Sequence, residues 1–308
     1  MSDDEEVFYR NSGSIGLAGP LLMVVVGFGV GGIMAAIYGY AIFYCPLIYI
    51  NGIGTVLLGT LTGWFVGKAA KLGKVRNAGY ASIIGIVVGV GCWYVSWVAW
   101  LHALSDQEAL VTAPRDIFAV ADALAEIGPW SIFGVTPTGI LLYLVWFIEA
   151  AIIIGGCAFV VTNSLRSLPF CETCQRWMPP PKYFGRFEMI DPDEWGRVVA
   201  DLVKQDFTQL TTLKPATEST TPYLVIELNG CQGCHDLQTL SLRAVAESRD
   251  SRGNLDRTEK KIVENLLISR ETLDDLQAHL TRVIEEAQGP TPVENSLESG
   301  EATPADTP

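Results

Sequence analysis

The first half of the sequence has almost no charge. Residues 11–67 and 77–105 contain no Asp, Glu, Lys or Arg. Uncharged runs of this length exclude an ordinary water-facing surface and predict a membrane domain. Beyond Arg166 the composition is that of a soluble protein, so a globular domain followed by a tail is expected there.

Basic residues are also scarce in the chain as a whole. There are 21 Lys and Arg against 34 Asp and Glu, a formal net charge of −13. A general nucleic-acid binder needs a basic surface that displaces counterions, so this balance argues against that class. Residues 1–13 form an acidic N-terminal segment without the basic start of a signal peptide, and no cleavable signal is expected.

Four apolar segments have about the 20 residues that a helix needs to cross a bilayer. Helices are predicted over 17–44, 47–67, 79–103 and 138–162. Pro46 breaks the first two apart, and "NGIG" at 51–54 is a second candidate break. Together the segments predict an α-helical membrane bundle of four transmembrane helices over 14–166.

The charges of the links predict the orientation of this bundle. The link "KAAKLGKVRN" carries four basic residues and no acid, whereas 105–135 carries five acids and one arginine. By the positive-inside rule the basic link faces the cytoplasm. Both termini and the cysteine-containing half are then expected to be cytoplasmic.

The acidic link holds a predicted helix of its own, near 114–127. Pro114 suits the start of a helix, and Gly128 with Pro129 suits its end. Apolar residues recur at helical spacing between them, at Ile117, Val120, Ala121, Leu124 and Ile127. Such an amphipathic helix is expected on the outer membrane surface or as a cap on the bundle.

Glycines recur every four residues in the apolar segments. Gly59, Gly63 and Gly67 form a ridge along the second helix, and similar pairs occur on the first and third. A ridge without side chains lets another helix approach closely and gain dispersion contacts. The partner helix could belong to the same bundle or to another subunit of a homo-oligomer, and the sequence leaves both alternatives open.

Glu149 stands near the middle of the fourth apolar segment, "GILLYLVWFIEAAIIIGGCAFVV". An ionisable group at that depth usually faces a bundle interior or a water path. One interpretation is a protonated carboxyl that hydrogen-bonds to a neighbouring helix. The other is a functional polar site, either a ring of carboxylates that lines an oligomeric pore or an ion or proton site.

Two Cys-x-x-Cys pairs lie in the second half of the chain, Cys171 with Cys174 and Cys231 with Cys234. Two such pairs predict a tetrahedral four-cysteine site, most often filled by structural Zn²⁺. The 56 residues between the pairs exceed the usual spacing, so a substantial insertion must fold between them. Four thiolates would close the coordination sphere, which argues against zinc catalysis.

Other chemistry remains open at the second pair. "CQGCH", which ends at His235, matches the attachment motif of a c-type haem. Haem attachment occurs outside the cytoplasm and would leave the first pair unexplained. A redox dithiol or an iron site is a further alternative. His235 is an alternative to one cysteine as a ligand, but a role beside the site or at the surface is expected for it.

The sequence around the cysteines predicts a small α+β zinc-ribbon-like domain over 167–288. An amphipathic helix is expected in "DPDEWGRVVADLVKQDFTQL", and strands in "YLVIEL", "LQTLSLRAV" and "EKKIVENLLIS". A final helix is expected in "RETLDDLQAHLTRVIEEA". The tail at 289–308, rich in Pro, Glu and Thr, is predicted to be disordered.

The stretches "GKAAKLGKVRN", "WFIEA" and "PFCETC" together resemble uncharacterised bacterial four-helix inner-membrane proteins with a cytoplasmic cysteine-rich, zinc-ribbon-like domain. The resemblance covers about half of the chain. It implies a bacterial inner-membrane location and no known activity.

These features lead to two main hypotheses of function. No hydrolase triad, phosphate-binding loop or pair of catalytic carboxylates stands out, so a non-enzymatic protein is expected. In the first hypothesis a zinc-stabilised cytoplasmic sensor domain controls an oligomeric bundle, with an ion-conducting pore of the stress or defence type as one form of it. In the second the helices anchor a zinc-domain adaptor that recruits a cytoplasmic protein or ligand. An enzyme acting on lipid is a third hypothesis.

Overall fold

The computed structural model describes residues 7–45, 47–129, 131, 136–217, 219–249 and 252–288, with the backbone alone of Ile48. The chain divides into two compact units. The first is Tyr9–Pro180 with Gln232–Cys234 and contains the long helices. The second is Met1–Phe8, Pro181–Cys231 and His235–Pro308 and contains the main sheet. The predicted tail at 289–308 and the acidic residues 1–6 lie outside the described residues.

Four long helices build the first unit, as the sequence predicts. They are α1 (Gly19–Tyr44), α2 (Ile48–Leu72), α3 (Ala78–Leu104) and α5 (Ile140–Arg166). Each is long and apolar enough to cross a membrane. The second candidate break at 51–54 was wrong, because α2 runs unbroken through those residues. Asn51 instead supports the helix, since its carbonyl oxygen accepts a hydrogen bond from the Thr55 hydroxyl at 2.8 Å.

A shorter helix, α4 (Pro114–Ile127), occupies the range predicted for the amphipathic helix. Its apolar side packs against the C-terminal part of α3 and the N-terminal part of α5. Residues of α4 in this contact include Ile117, Ala121 and Leu124, which meet Trp97 and Trp146. Within the described residues α4 therefore caps one end of the bundle, and the link between α2 and α3 marks the opposite end.

Glycines set the distances between the long helices. A Cβ added at Gly59 would lie 2.8 Å from the carbonyl oxygen of Ile153, and one at Gly63 would lie 2.6 Å from that of Cys157. At Gly67 it would lie 2.7 Å from the hydroxyl of Ser164. All three glycines face α5 of the same chain. The ridge is therefore occupied within a single bundle.

The second unit is an antiparallel sheet with helices on one face. Its strands are β3 (Lys182–Glu188), β4 (Tyr223–Gly230), β5 (Gln238–Arg249) and β6 (Leu255–Leu267), in spatial order β3-β4-β5-β6. The helices are α6 (Trp195–Val203), α7 (Thr208–Thr211) and α8 (Arg270–Gln288). Leu202, Leu276 and Leu280 cover the sheet beside Leu224 and Leu240.

Two details of this unit differ from the sequence expectation. The strand β3 was missed, because Gly185 interrupts its alternation at a bulge between Phe184 and Phe187. The single amphipathic helix expected over 191–210 is instead two helices. The chain turns between them where Gln205 takes a φ of 63°, and the Asp206 carboxylate accepts a 3.0 Å hydrogen bond from the Thr208 amide at the start of α7.

We expect Gly63→Ala to destabilise the bundle by about 1–3 kcal/mol, because the added methyl group would be forced against the backbone of α5. Gly29→Ala on α1 is the matched control, since nothing lies within 4 Å of a Cβ at that position. The measurement is the unfolding midpoint of the purified full chain in a mild detergent. Equal midpoints for the two variants would contradict the close contact of α2 with α5.

Candidate functional site

The first cysteine pair lies on a short hairpin directly after α5. Strands β1 (Phe170–Cys171) and β2 (Arg176–Trp177) pair antiparallel, with Cys171 opposite Arg176. The turn between them carries Cys174. Its amide lies 3.5 Å from Cys171 Sγ and donates to it, which is the kind of contact that stabilises a thiolate.

The second pair lies on the turn between β4 and β5. Cys231 follows the last residue of β4, and its amide donates to the carbonyl oxygen of Leu237 at 2.9 Å. That hydrogen bond closes the turn around Cys234. The insertion between the two pairs is thus the folded segment from β3 to β4, which returns the chain to the first pair.

The four cysteines predicted to bind metal lie together. The Sγ atoms of Cys171, Cys174, Cys231 and Cys234 are all within 4.8 Å of one another. Cys171 Sγ lies 3.3 Å from Cys234 Sγ, well beyond the S–S bond length of roughly 2.05 Å in a disulfide. A tetrahedral zinc site with Zn–S bonds of about 2.3 Å separates its sulfurs by about 3.8 Å. The cluster therefore has the size and the donor set of a four-thiolate metal site.

Both cysteine turns end in a residue with a left-handed backbone conformation. The residue that follows each pair has a positive φ, 52° at Gln175 and 59° at His235. This conformation folds the chain back so that two thiols separated by two residues face one point. His235 is exposed and is not one of the clustered ligands. Histidine is among the residues that tolerate this conformation best, which accounts for its place after Cys234.

A close backbone approach completes the arrangement. A Cβ at Gly233 would lie 2.7 Å from Cys174 Sγ and 2.0 Å from the Arg176 guanidinium. Only a residue without a side chain fits this position comfortably. The glycine inside "CQGC" is thus required by the neighbouring pair.

The hairpin packs against the end of the helical bundle that bears the link between α2 and α3. Trp177 Nε1 donates to the carbonyl oxygen of Lys71 at 3.0 Å. Arg76, in the link itself, forms an ion pair with Glu172, and its guanidinium lies 4.5 Å from the centre of the Phe170 ring. The Arg76 side chain is 9% exposed and that of Glu172 is 47% exposed. The Arg76–Glu172 ion pair and the Trp177 hydrogen bond thereby hold the first cysteine pair against the bundle.

The segment before α1 supports the same hairpin. The Tyr9 hydroxyl accepts a hydrogen bond from the Phe170 amide at 2.8 Å, and it lies 2.8 Å from Asn11 Oδ1, to which it donates. Burial raises the pKa of Tyr9, so its hydroxyl keeps the proton that it donates. Neither this contact nor the Arg76 ion pair was anticipated from the sequence, because no periodicity links residues so far apart.

Glu149, the other predicted site residue, lies nine residues into α5, in the half of the bundle nearer α4. Its carboxylate accepts a 2.8 Å hydrogen bond from the Tyr38 hydroxyl. Tyr38 lies on α1, so the contact joins two helices of one chain. Glu149 also lines a cavity of about 480 Å³.

Comparison with known proteins adds no relative. No protein-family model matches the sequence, and neither curated proteins nor solved structures gave a significant match. The functional argument therefore depends on the geometry alone.

We expect the purified full chain to contain about one Zn²⁺, and Cys171→Ser or Cys234→Ser to lose most of it. Each variant replaces a thiolate with a weaker ligand in a four-ligand site. Because metal binding is folding free energy in such domains, about 10–16 kcal/mol in small zinc domains, the variants should also unfold at lower temperature. The measurement is elemental analysis together with thermal unfolding.

Two variants serve as controls for this experiment. Cys45→Ser changes a cysteine outside the cluster, and His235→Gly keeps the positive φ while removing the imidazole. Both should retain full zinc. A haem absorption band in the wild-type protein, or loss of metal in His235→Gly, would contradict the four-cysteine assignment.

Proposed function

We propose that this chain is a non-enzymatic integral membrane protein of the bacterial inner membrane, built around a structural Zn²⁺. The metal would hold the four cysteines and so maintain the hairpin on the end of the bundle. The observation that carries the proposal is the packing of that hairpin, through Trp177 and Glu172, against Lys71 and Arg76. In this proposal the helices anchor the protein, and the sheet domain recruits a cytoplasmic partner.

The surface of the bundle supports the membrane location. Large apolar side chains stand exposed around it, for example Leu21 at 67% and Phe147 at 69%. A water-soluble protein rarely exposes apolar surface continuously over helices of this length. Lipid chains would cover these residues, and the backbone groups of the helices already bond to one another.

The basic link supports a cytoplasmic position for the metal site. Lys68, Lys71, Lys74 and Arg76 lie at the same end of the bundle as the hairpin. Lys71 Nζ lies 5.8 Å from the centre of the Trp177 ring, so basic link and hairpin contact each other. The positive-inside rule then assigns both to the same compartment.

The sheet offers a polar face for a partner, opposite the face covered by α6 and α8. Arg243 forms ion pairs with Glu227 at 2.9 Å and with Glu259 at 3.4 Å, which joins three neighbouring strands. Burial raises the pKa of Glu227, and the charge of Arg243 opposes that shift. Charged groups held in fixed positions give specificity to an interface more readily than they give affinity.

An oligomeric pore under the control of the zinc domain is the second candidate, and Glu149 favours it. A carboxylate at this depth, repeated around a symmetry axis, would favour cations as acidic rings do. Two observations weaken the case. The glycine ridge faces α5 of the same chain, and Glu149 already bonds to Tyr38. We therefore rank the anchored adaptor first.

The orientation is tested with reporter fusions. Alkaline phosphatase fused after Pro308 should be inactive, and the same reporter inserted at 107–110 should be active, because the enzyme folds only outside the cytoplasm. A green fluorescent protein at the two sites should give the complementary result. The reversed pattern would contradict the cytoplasmic assignment and reopen haem attachment at Cys231–Cys234.

The choice between adaptor and pore is tested with the full chain in two settings. In a planar bilayer under a salt gradient the adaptor predicts no unitary currents, whereas a pore predicts currents whose reversal potential changes in Glu149→Gln. In cells, a photo-crosslinking residue at Lys260 should give a discrete protein adduct. The same residue at Arg115 on α4 should not.

The Cys171→Ser variant completes this test. It should insert in the membrane yet lose the adduct at Lys260, because the proposal makes the metal necessary for the sheet domain to recruit its partner. Unitary currents from wild type that Glu149→Gln alters would establish the pore instead. An adduct of equal yield in Cys171→Ser would show that recruitment does not need the metal.

A further inference from the structure

The cavity at the α4 end of the bundle is lined by all four long helices. Tyr38 of α1, Thr55 of α2, Trp97 of α3 and Glu149 of α5 are among its walls. Its volume of about 480 Å³ falls within the range of small-molecule sites. Glu149 is nine residues into α5, about 14 Å along the helix, so the cavity reaches well into the apolar layer.

Glu149 is the one acidic side chain among the described residues that line this cavity. Tyr38 has a single hydroxyl proton, and it donates that proton to Glu149 Oε1 at 2.8 Å. The Tyr38 oxygen also lies 2.7 Å from the Thr55 hydroxyl oxygen, whose proton is donated to the Asn51 carbonyl oxygen. The Tyr38 hydrogen bond fixes one oxygen of the Glu149 carboxyl group. Among the lining residues that the structure describes there is no Lys, Arg or His to balance the charge.

Aromatic rings form much of the remaining wall. Trp97, Trp100 and Trp146 line the cavity with Tyr38 and Tyr49. The Trp97 ring lies 4.9 Å from that of Trp146 and 5.4 Å from that of Trp100, both edge-to-face. These contacts hold the indoles in place, so the site is formed before any ligand enters. The faces of indole rings attract cations, and tryptophan does so most strongly.

The combination selects a chemical class of ligand. An anion would be repelled by an ionised Glu149. Ca²⁺ takes about six to eight oxygen ligands, mostly from several carboxylates, whereas Glu149 is the one carboxyl group among the described lining residues. A neutral apolar molecule would leave the carboxylate without a counter-charge. A monovalent organic cation with an apolar body satisfies both the carboxylate and the aromatic walls.

We propose that this cavity binds a substituted ammonium ion, with the cationic head against Glu149 and the apolar body between the tryptophans. The head could belong to a free amphiphilic cation or to the choline group of a lipid, because both present the same chemistry. The proposal is independent of the metal site and of the adaptor function.

The probe is benzyltrimethylammonium, titrated into the full chain in a maltoside detergent, which carries neither charge nor ammonium. Binding is followed by isothermal calorimetry and by quenching of tryptophan fluorescence. We expect saturable binding of one probe per chain. Neopentylbenzene, which replaces the charged nitrogen with carbon at nearly the same shape, should bind at least tenfold more weakly.

Variants connect the binding to the two parts of the site. Glu149→Gln should raise the Kd at least tenfold, and Trp100→Leu about fivefold, in line with the loss of one cation–π contact. Glu126→Gln on the exposed side of α4 and Trp64→Leu, which lies outside the cavity, are the matched controls and should leave the Kd unchanged. Zinc content and unfolding midpoint report whether each variant is folded.

Several results would overturn the proposal. They are absence of saturable binding by folded wild-type protein, equal affinity for neopentylbenzene, or an unchanged Kd in Glu149→Gln. If Glu149→Gln fails to fold, the comparison of charged and neutral probes on wild type still decides. Displacement of the probe by a short-chain phosphatidylcholine would identify a lipid head as the source of the cation, and its failure to displace would identify a free cation.

Discussion

The close approach of α2 to α5 determines how the long helices pack in the first unit. At Gly59 and Gly63 the missing side chains let the backbones of the two helices come into direct contact. Gly85 and Gly89 bring α3 to the same part of α5, against Ala158 and Ile154. Dispersion between closely packed backbones is the main attraction available to helices in lipid. The half of the bundle nearer the cysteine hairpin is therefore closely packed against α5.

The half of the bundle nearer α4 is richer in aromatic residues and contains a cavity. There Tyr38, Trp97 and Trp146 place large side chains between the helices, while Gly39 still brings α1 against the α3 backbone at Ser96 and Trp100. The cavity that Glu149 lines lies among these aromatic side chains. Glycine contacts with α5 near the cysteine hairpin and aromatic side chains near α4 thus give one bundle both a close-packed region and a cavity.

How far the sequence predicts this structure depends on the range of each interaction. Helix positions follow from local composition, and the four long helices and α4 begin and end within five residues of the predicted bounds. The four-cysteine cluster was predictable because thiols in two Cys-x-x-Cys pairs have a known common use. β3 was not, since Gly185 and a bulge break the alternation on which a strand prediction relies. The link between Tyr38 and Glu149 spans 111 residues, and nothing local indicates it.

The structure makes the role of Glu149 less ambiguous than the sequence alone does. From the sequence, an isolated carboxyl in an apolar segment fits a buried hydrogen bond or a functional site equally well. The structure shows that it is both bonded and beside a cavity, and these are compatible because a carboxylate has two oxygens and Tyr38 engages one. A group needed only for packing would be enclosed by apolar neighbours. Glu149 instead lines a cavity whose walls include the indole rings of Trp97, Trp100 and Trp146, which is the environment that the proposed cation requires.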